Sequence, residues 1–359
     1  MACRSKKCLG GKAGSQVVVR AEPVTREGIS SPRITTADSA HKIVLSGHRS
    51  VEGSLMMTAA VRDLHRAYPG RFLTAISSPH PYIWEGNPHI SDFPIGEGNL
   101  IEMDCSRLLA RANEGSYHFV HAFVDDLEQK MGLRLPCTEM KGEIYIGDED
   151  KKWAMKYLYE KQISDFWLLE VGDLGGVGTK WWPREYYQAV VDYFRGRITF
   201  LTIGSGLRED TWEPLDGVVV SGVPVASREA LRLVYHSSGL LCSTGMLMHA
   251  AAATPAAPGL PHARPAVVLA GGREPTQWNA YPGHKYLGSQ GTLKCCLRGG
   301  CWRNYVSPGL SAPEACKRPV TGQLAKCMQL ITPDHVIQAI ESYYKGGILE
   351  YKNDSQPQT

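Results

Sequence analysis

The sequence predicts an α/β protein made of two successive open-sheet halves that meet near residues 160–165. Two observations carry this. Short apolar runs alternate with segments of helical period in the order strand, loop, helix, strand. The same order restarts after the midpoint, and no repeat of solenoid length competes with it. A chain of 359 residues is long enough to give each half its own core.

Residues 1–40 are polar, with scattered charges and Gly, Ser and Pro, and read as a flexible N-terminal extension. An edge strand or a partner-binding arm are the other readings. Val17, Val18 and Val19 form its one apolar run, too short for the core of a signal peptide, so the expectation is a cytoplasmic protein with reduced thiols. Cys3 and Cys8 in this stretch are a weak metal pair.

His41–Ser46 reads as the first strand, followed by the turn GHRSVEG. In SLMMTAAVRDLHRAY, Leu55, Ala59, Leu64 and Ala67 can share one helical face, and Pro69 and Gly70 stop the helix. Residues 72–77 are a second strand, 117–133 a strand edge running into a helix, and 149–161 a further helix packed through Trp153, Met155, Leu158 and Tyr159. The second half opens with the strand FWLLEV (166–171). A glycine-bearing loop follows, then a helix beginning at Pro183, and strands at 198–204, 218–222, 239–243 and 266–272. Residues 332–344 form a last helix. The domains expected are 41–163 and 164–345, the latter including an irregular insert at 273–328, with a flexible tail at 346–359.

The 39 basic and 36 acidic residues leave a formal charge of +3, too near balance to mark a nucleic-acid binder. No run of 18 apolar residues is present, so no membrane-spanning helix is expected. Ten cysteines are too sparse for a disulfide scaffold, yet Cys295, Cys296, Cys301, Cys316 and Cys327 crowd into the insert. Four thiolates suit tetrahedral zinc or iron, which would also fix an irregular segment from within. Adjacent cysteines rarely bind one metal together, so the set expected is Cys296, Cys301, Cys316 and Cys327. Buried thiols and a redox thiol are the alternatives.

Three further places could carry chemistry. In VGDLGGVGTKWWPREYY (171–187) the glycines free backbone amides, a helix N-terminus follows, and Lys180 stands before it; this is either a diphosphate-sized anion site or a mobile surface loop. In LLCSTGMLMHAAAA (240–253), Ser243, Thr244, Gly245 and Met246 form a strand-to-helix turn with open amides, and His249 lies one turn into the helix; an exposed cap and a structural histidine are the duller readings. Glu52, in the first strand-to-helix loop, could take a proton from an attacking hydroxyl or simply be a surface carboxylate that pairs with Arg49.

These segments, SLMMTAAVRDLHRAYPGRF, TKWWPREYYQAVV and CSTGMLMHAAAA, resemble in order the first helix, the Lys-Trp-Pro segment and the Asp-Thr-Gly-x-x-His-x-Ala signature of the bacterial ADP-heptose:lipopolysaccharide heptosyltransferases, over roughly residues 42–272. The resemblance implies a GT-B fold, two Rossmann-like domains facing across a cleft. It also implies inverting, metal-independent transfer from a nucleotide heptose, most readily ADP-heptose, bound mainly by the second half. Lys180 matches the phosphate-contacting lysine, Thr244 and Gly245 the donor turn, and His249 the signature histidine. Ser243 replaces the usual Asp, and Glu52-Gly53 stands where the family has Gly-Asp. Glu52 is then the candidate base, with Asp125 or Asp126 as alternatives. The insert resembles more loosely that of the autotransporter heptosyltransferases, which carry iron on four cysteines. A saccharide, small molecule or protein is the acceptor expected, with no nucleic-acid partner and with scope for homo-oligomers. A hexosyl transferase and a catalytically silent nucleotide-sugar binder are the rival readings. A dinucleotide-dependent dehydrogenase is disfavoured, because no GxGxxG follows the first strand.

Overall fold

The computed structural model describes residues 40–47, 49–103, 105, 117–171, 180–204, 214–297, 300, 316, 320 and 324–351. Two parallel sheets carry the architecture. The first has β1 (His41–Ser46) between β2 (Phe72–Ser77) and β3 (Asn99–Glu102). The second holds β4 (Trp167–Glu170), β5 (Phe200–Ile203), β6 (Val219–Val220), β7 (Gly239–Ser243), β8 (Ala266–Gly271) and β9 (His284–Gly288) in the spatial order 6-5-4-7-8-9. That order is doubly wound, with its switch point between β4 and β7. Strands β4, β5, β7 and β8 are buried at every position, as central parallel strands covered on both faces must be.

Helix α1 (Val51–Ala67) starts where the Ser50 side chain accepts from Gly53 N–H at 3.0 Å, an N-cap of about 1 kcal/mol. Residues Gly53–Leu64 are all buried, so the helix is a core element between layers. It packs on α2 (Phe119–Met131) and on α6 (Met246–Ala253), which belongs to the second sheet. The remaining helices are α3 (Asp148–Glu160), α4 (Arg184–Tyr193), α5 (Arg228–His236), the single turn α7 (Lys326–Gln329) and α8 (Pro333–Lys345).

Both sheets lie in one compact unit, Ala37–Thr359, and one apolar core runs through Leu45, Leu55 and Phe123 on one side and Leu201, Leu240 and Leu247 on the other. A polar clamp joins the same two parts. Arg228 of α5 is 6% exposed; it donates to Asp150 of α3 and to the carbonyls of Tyr82 and Tyr145. Arg228 makes two bonds to Asp150, and Arg232 adds a third at 2.8 Å. Burial alone would raise the Asp150 carboxyl, but the bonds from Arg228, Arg232 and Gly147 N–H win and hold it near 2.

Several expectations need correction. Residues 117–118 form no strand: His118 caps α2, its Nδ1 accepting from Val120 N–H at 3.2 Å. Glu52 lies in the first turn of α1 rather than in a loop. The segment 273–328 is not structureless throughout. It supplies β9, the short turn Thr276–Trp278 and the buried Trp278 and Tyr281. Four elements were not foreseen: β3, α5, β9 and the single turn α7. Among the described residues, no helix is long and apolar enough to cross a membrane.

Candidate active site

The chain brings its chemistry to the carboxyl ends of the strands. β1 runs into Ser50 and Glu52, β4 ends at Glu170, β7 at Ser243, and β8 leads to Glu274. Between the two sheets lies a cavity of ≈ 280 Å³. From the first side come Ser50, Glu52, Gly53, Met56, Phe119 and Phe123; from the second come Lys180, Thr244, Gly245, His249, Glu274 and Asn279. This is the crevice where open α/β sheets bind ligands.

Gly245 sets the centre of the site. A Cβ built on it would stand 3.9 Å from Glu52 Oε1 and 3.9 Å from Lys180 Nζ, so the carboxylate and the ammonium flank one backbone position. Gly245 is also the residue before α6, whose first amides point outward from the helix N-terminus. Positive charge and open N–H groups therefore occupy one side of the cavity, and the Glu52 carboxylate faces them from the other sheet.

The strand end beneath holds a carboxylate that sequence reasoning did not single out. Glu170 is 4% exposed, and its Oε2 accepts from Ser243 N–H at 2.9 Å and Ser243 O–H at 3.2 Å. Burial raises its carboxyl above the ordinary range, against those two bonds and the charge of Lys180. Ser243 is turned down onto Glu170 and does not line the cavity. Met246, 5% exposed, is packed into the core and does not line it either. Of the residues expected at the donor turn, Lys180, Thr244, Gly245 and His249 do line it.

His249 is buried, and its Nδ1 shares a 2.6 Å hydrogen bond with the Tyr281 hydroxyl. Burial, with help from His118 and Lys180, pushes its pKa down to about 3. Burial therefore favours the neutral ring. His118 Nε2 meets the Ala280 carbonyl at 3.1 Å and its ring stands edge-on to Tyr281. Those contacts tie α2 to the 276–283 segment. Asp125 and Asp126, the alternative bases, are not in the cavity wall. Tyr117 donates to Asp125 at 2.7 Å, and Lys130 to Asp126 at 2.8 Å. Arg49 is exposed and its carbonyl accepts from His80. The glycines of 172–179 lie outside the described residues.

Of the cysteine set, Cys296 and Cys327 converge on Gly272, where an added Cβ would lie 3.2 Å from Cys296 Sγ and 3.1 Å from Cys327 Cβ. The Cys296 sulfur is engaged within its own turn, accepting from Gly291 N–H at 3.2 Å and donating to the Leu293 carbonyl at 3.2 Å. Cys316 is partly buried, and Cys301, like Cys3 and Cys8, lies outside the described residues. Among the described residues no group of three or more His, Cys, Asp or Glu is placed to hold a metal. Burial, and after it the neighbouring Cys316, Cys295 and Cys296, raises the Cys327 thiol, so more than two cysteines gather here, but the described residues show no four-cysteine iron or zinc site.

No sequence-family model matches the chain, and comparison with curated proteins finds no match. Solved structures do match. A glycosyl transferase family 9 protein from Veillonella parvula superposes with a TM-score of 0.57 at 15% identity, over 87% of this chain and 99% of that one. The fold is GT-B. The ADP-heptose LPS heptosyltransferase II of E. coli gives 0.51 at 12% identity, covering 86% and 100%. The iron-containing dodecameric glycosyltransferase TibC of enterotoxigenic E. coli gives 0.55 at 11%, covering 86% and 77%. At these identities the likeness is one of GT-B architecture.

Proposed function

We propose that this chain is an inverting glycosyltransferase, moving a sugar from a nucleoside-diphosphate donor, ADP-heptose first among candidates, to a hydroxyl acceptor. One observation carries the reading: Glu52 and Lys180 flank Gly245 at the N-terminus of α6, inside a cavity between two GT-B sheets. The ammonium and the helix amides take the diphosphate, and they hold the charge that develops on it as the bond to the anomeric carbon breaks. Glu52 takes the proton of the acceptor hydroxyl as that oxygen attacks the opposite face of the same carbon. Its shift of one place from the family's Asp leaves it on the first turn of α1, still aimed into the cavity. All of this runs on the chain's own groups.

The test is donor turnover by purified protein with ADP-heptose, against Glu52→Gln. Wild-type turnover that the variant loses supports the reading. Equal turnover by both sinks Glu52 as the base. ADP binding without turnover in any acceptor screen favours instead a nucleotide-sugar-binding protein.

A further inference from the structure

The wall of the cavity above β8 has a chemistry that the diphosphate reading does not use. Glu274 lies just beyond the carboxyl end of β8, and its side chain lines the cavity. Its Oε2 accepts from Asn279 Nδ2 at 3.0 Å, and Arg273 stands 3.6 Å from its other oxygen. Asn279 also lines the cavity and is 3% exposed; its side-chain Oδ1 has no hydrogen-bond partner. The amide cannot be turned round, because that would set its oxygen against the carboxylate. Asn279 is held in place by Tyr286, whose hydroxyl donates to its carbonyl, and by its own N–H to the Thr276 carbonyl at 3.2 Å. The adjoining segment is braced against α2 through Trp278 on Phe119 and His118 on the Ala280 carbonyl.

This wall therefore offers two acceptors: a carboxylate and a buried amide oxygen that has paid its desolvation without finding a donor. A phosphate placed here would meet the negative charge of Glu274. The matching ligand surface is one of hydroxyl donors. The anion-binding side, Lys180 and the α6 amides, is on the same sheet, one strand away. A group attached to a diphosphate seated there would reach this wall directly.

We infer that Glu274 and Asn279 form a sugar-reading subsite, in which the Glu274 carboxylate and Asn279 Oδ1 accept hydrogen bonds from neighbouring ring hydroxyls of the transferred sugar. The inference rests on the donor reading above and sharpens it. The two residues select a polyhydroxylated group on the diphosphate, and they leave the nucleotide to Lys180 and the turn.

Calorimetric titration of ADP and of ADP-heptose against wild type, Glu274→Gln and Asn279→Leu separates the two readings. Each variant should bind ADP within about twofold of wild type and lose about tenfold in ADP-heptose affinity, the worth of one charge-assisted or buried hydrogen bond. Retained ADP binding also shows that the variant has folded. ADP and ADP-heptose weakened alike, or neither weakened, overturns the subsite and leaves the donor reading standing. Loss confined to the acceptor's KM assigns the wall to the acceptor and overturns the inference. A wild type that binds neither ADP nor ADP-heptose sinks the donor reading and this subsite with it.

Discussion

The two walls of the cavity differ in kind. The α1–α2 wall is largely apolar, with Met56, Phe119 and Phe123, and places one carboxylate, Glu52, among them. The wall from the second sheet is polar, with Lys180, Thr244, His249, Glu274 and Asn279 around the N-terminus of α6. A wall that must hold a charged, hydroxylated molecule needs many fixed polar partners. A wall that only has to remove one proton needs one carboxylate and freedom from water. Under the proposed reaction, the contrast would give binding to the second half and proton transfer to the first.

The sharpest way to break that division is Glu52→Gln. It should lower kcat by about 10²–10⁴-fold, the usual worth of a general base, and leave donor affinity nearly unchanged; steady-state kinetics with separate donor titration decides. An equal loss in donor binding would put Glu52 on the binding side. Lys180→Ala should act the other way, weakening donor binding by about 10–100-fold, as loss of a charged hydrogen bond to phosphate implies. A fall in kcat with donor affinity intact would break the assignment.

The clamp tests whether both walls need each other. Arg228→Ala leaves the buried Asp150 with only Arg232 and the Gly147 N–H, and strands the Tyr82 and Tyr145 carbonyls, so a loss of about 3–5 kcal/mol in denaturant unfolding is expected. The native Asp150 carboxyl lies near 2, below its ordinary 3.8. Its contribution is therefore full above pH 3.8 and is lost as pH falls through 2. Asp150→Asn should flatten stability against pH in that window, and an unchanged slope would show that the pair does not carry it.

The smallest effect is expected at Glu170. Its carboxyl is raised in the folded protein, so its contribution is complete below 4.5 and is lost as pH rises through the folded value. Glu170→Gln should remove that slope and keep the fold. By loosening the Ser243 turn, it should raise the donor KM a few-fold, by about the worth of one neutral hydrogen bond. A donor KM that does not move would mean that Glu170 only fills the core.

Much of the second sheet was legible because β4, β7 and β8 are buried on both faces and read as unbroken apolar runs. β9 was not, because HKYLG is a part-buried edge strand that opens on two polar residues, His284 and Lys285. Glu52 was legible as a group but not in its setting, since the Ser50 cap extends α1 back over it. Lys180, Thr244 and Gly245 stood out through local turn chemistry. Glu170, Glu274 and Asn279 did not. Glu170 gains its meaning from Ser243, 73 residues away, which only the neighbouring strand register supplies. The Glu274–Asn279 pair is close in sequence, but its role comes from facing a cavity that the other half completes. The cysteine set stays an expectation: Cys296 and Cys327 converge on Gly272, and Cys301 lies outside the described residues.

The Arg228 clamp also has a mechanical side. Parting the two halves at that edge would strand a guanidinium and a carboxylate without their partners, and parting them on the cavity side would break the Phe119–Trp278 ring contact and the His118 bond to the Ala280 carbonyl. The halves are thus fastened at two edges by different means, charge at Arg228 and aromatic packing at Trp278, so salt or low pH would loosen one fastening and leave the other.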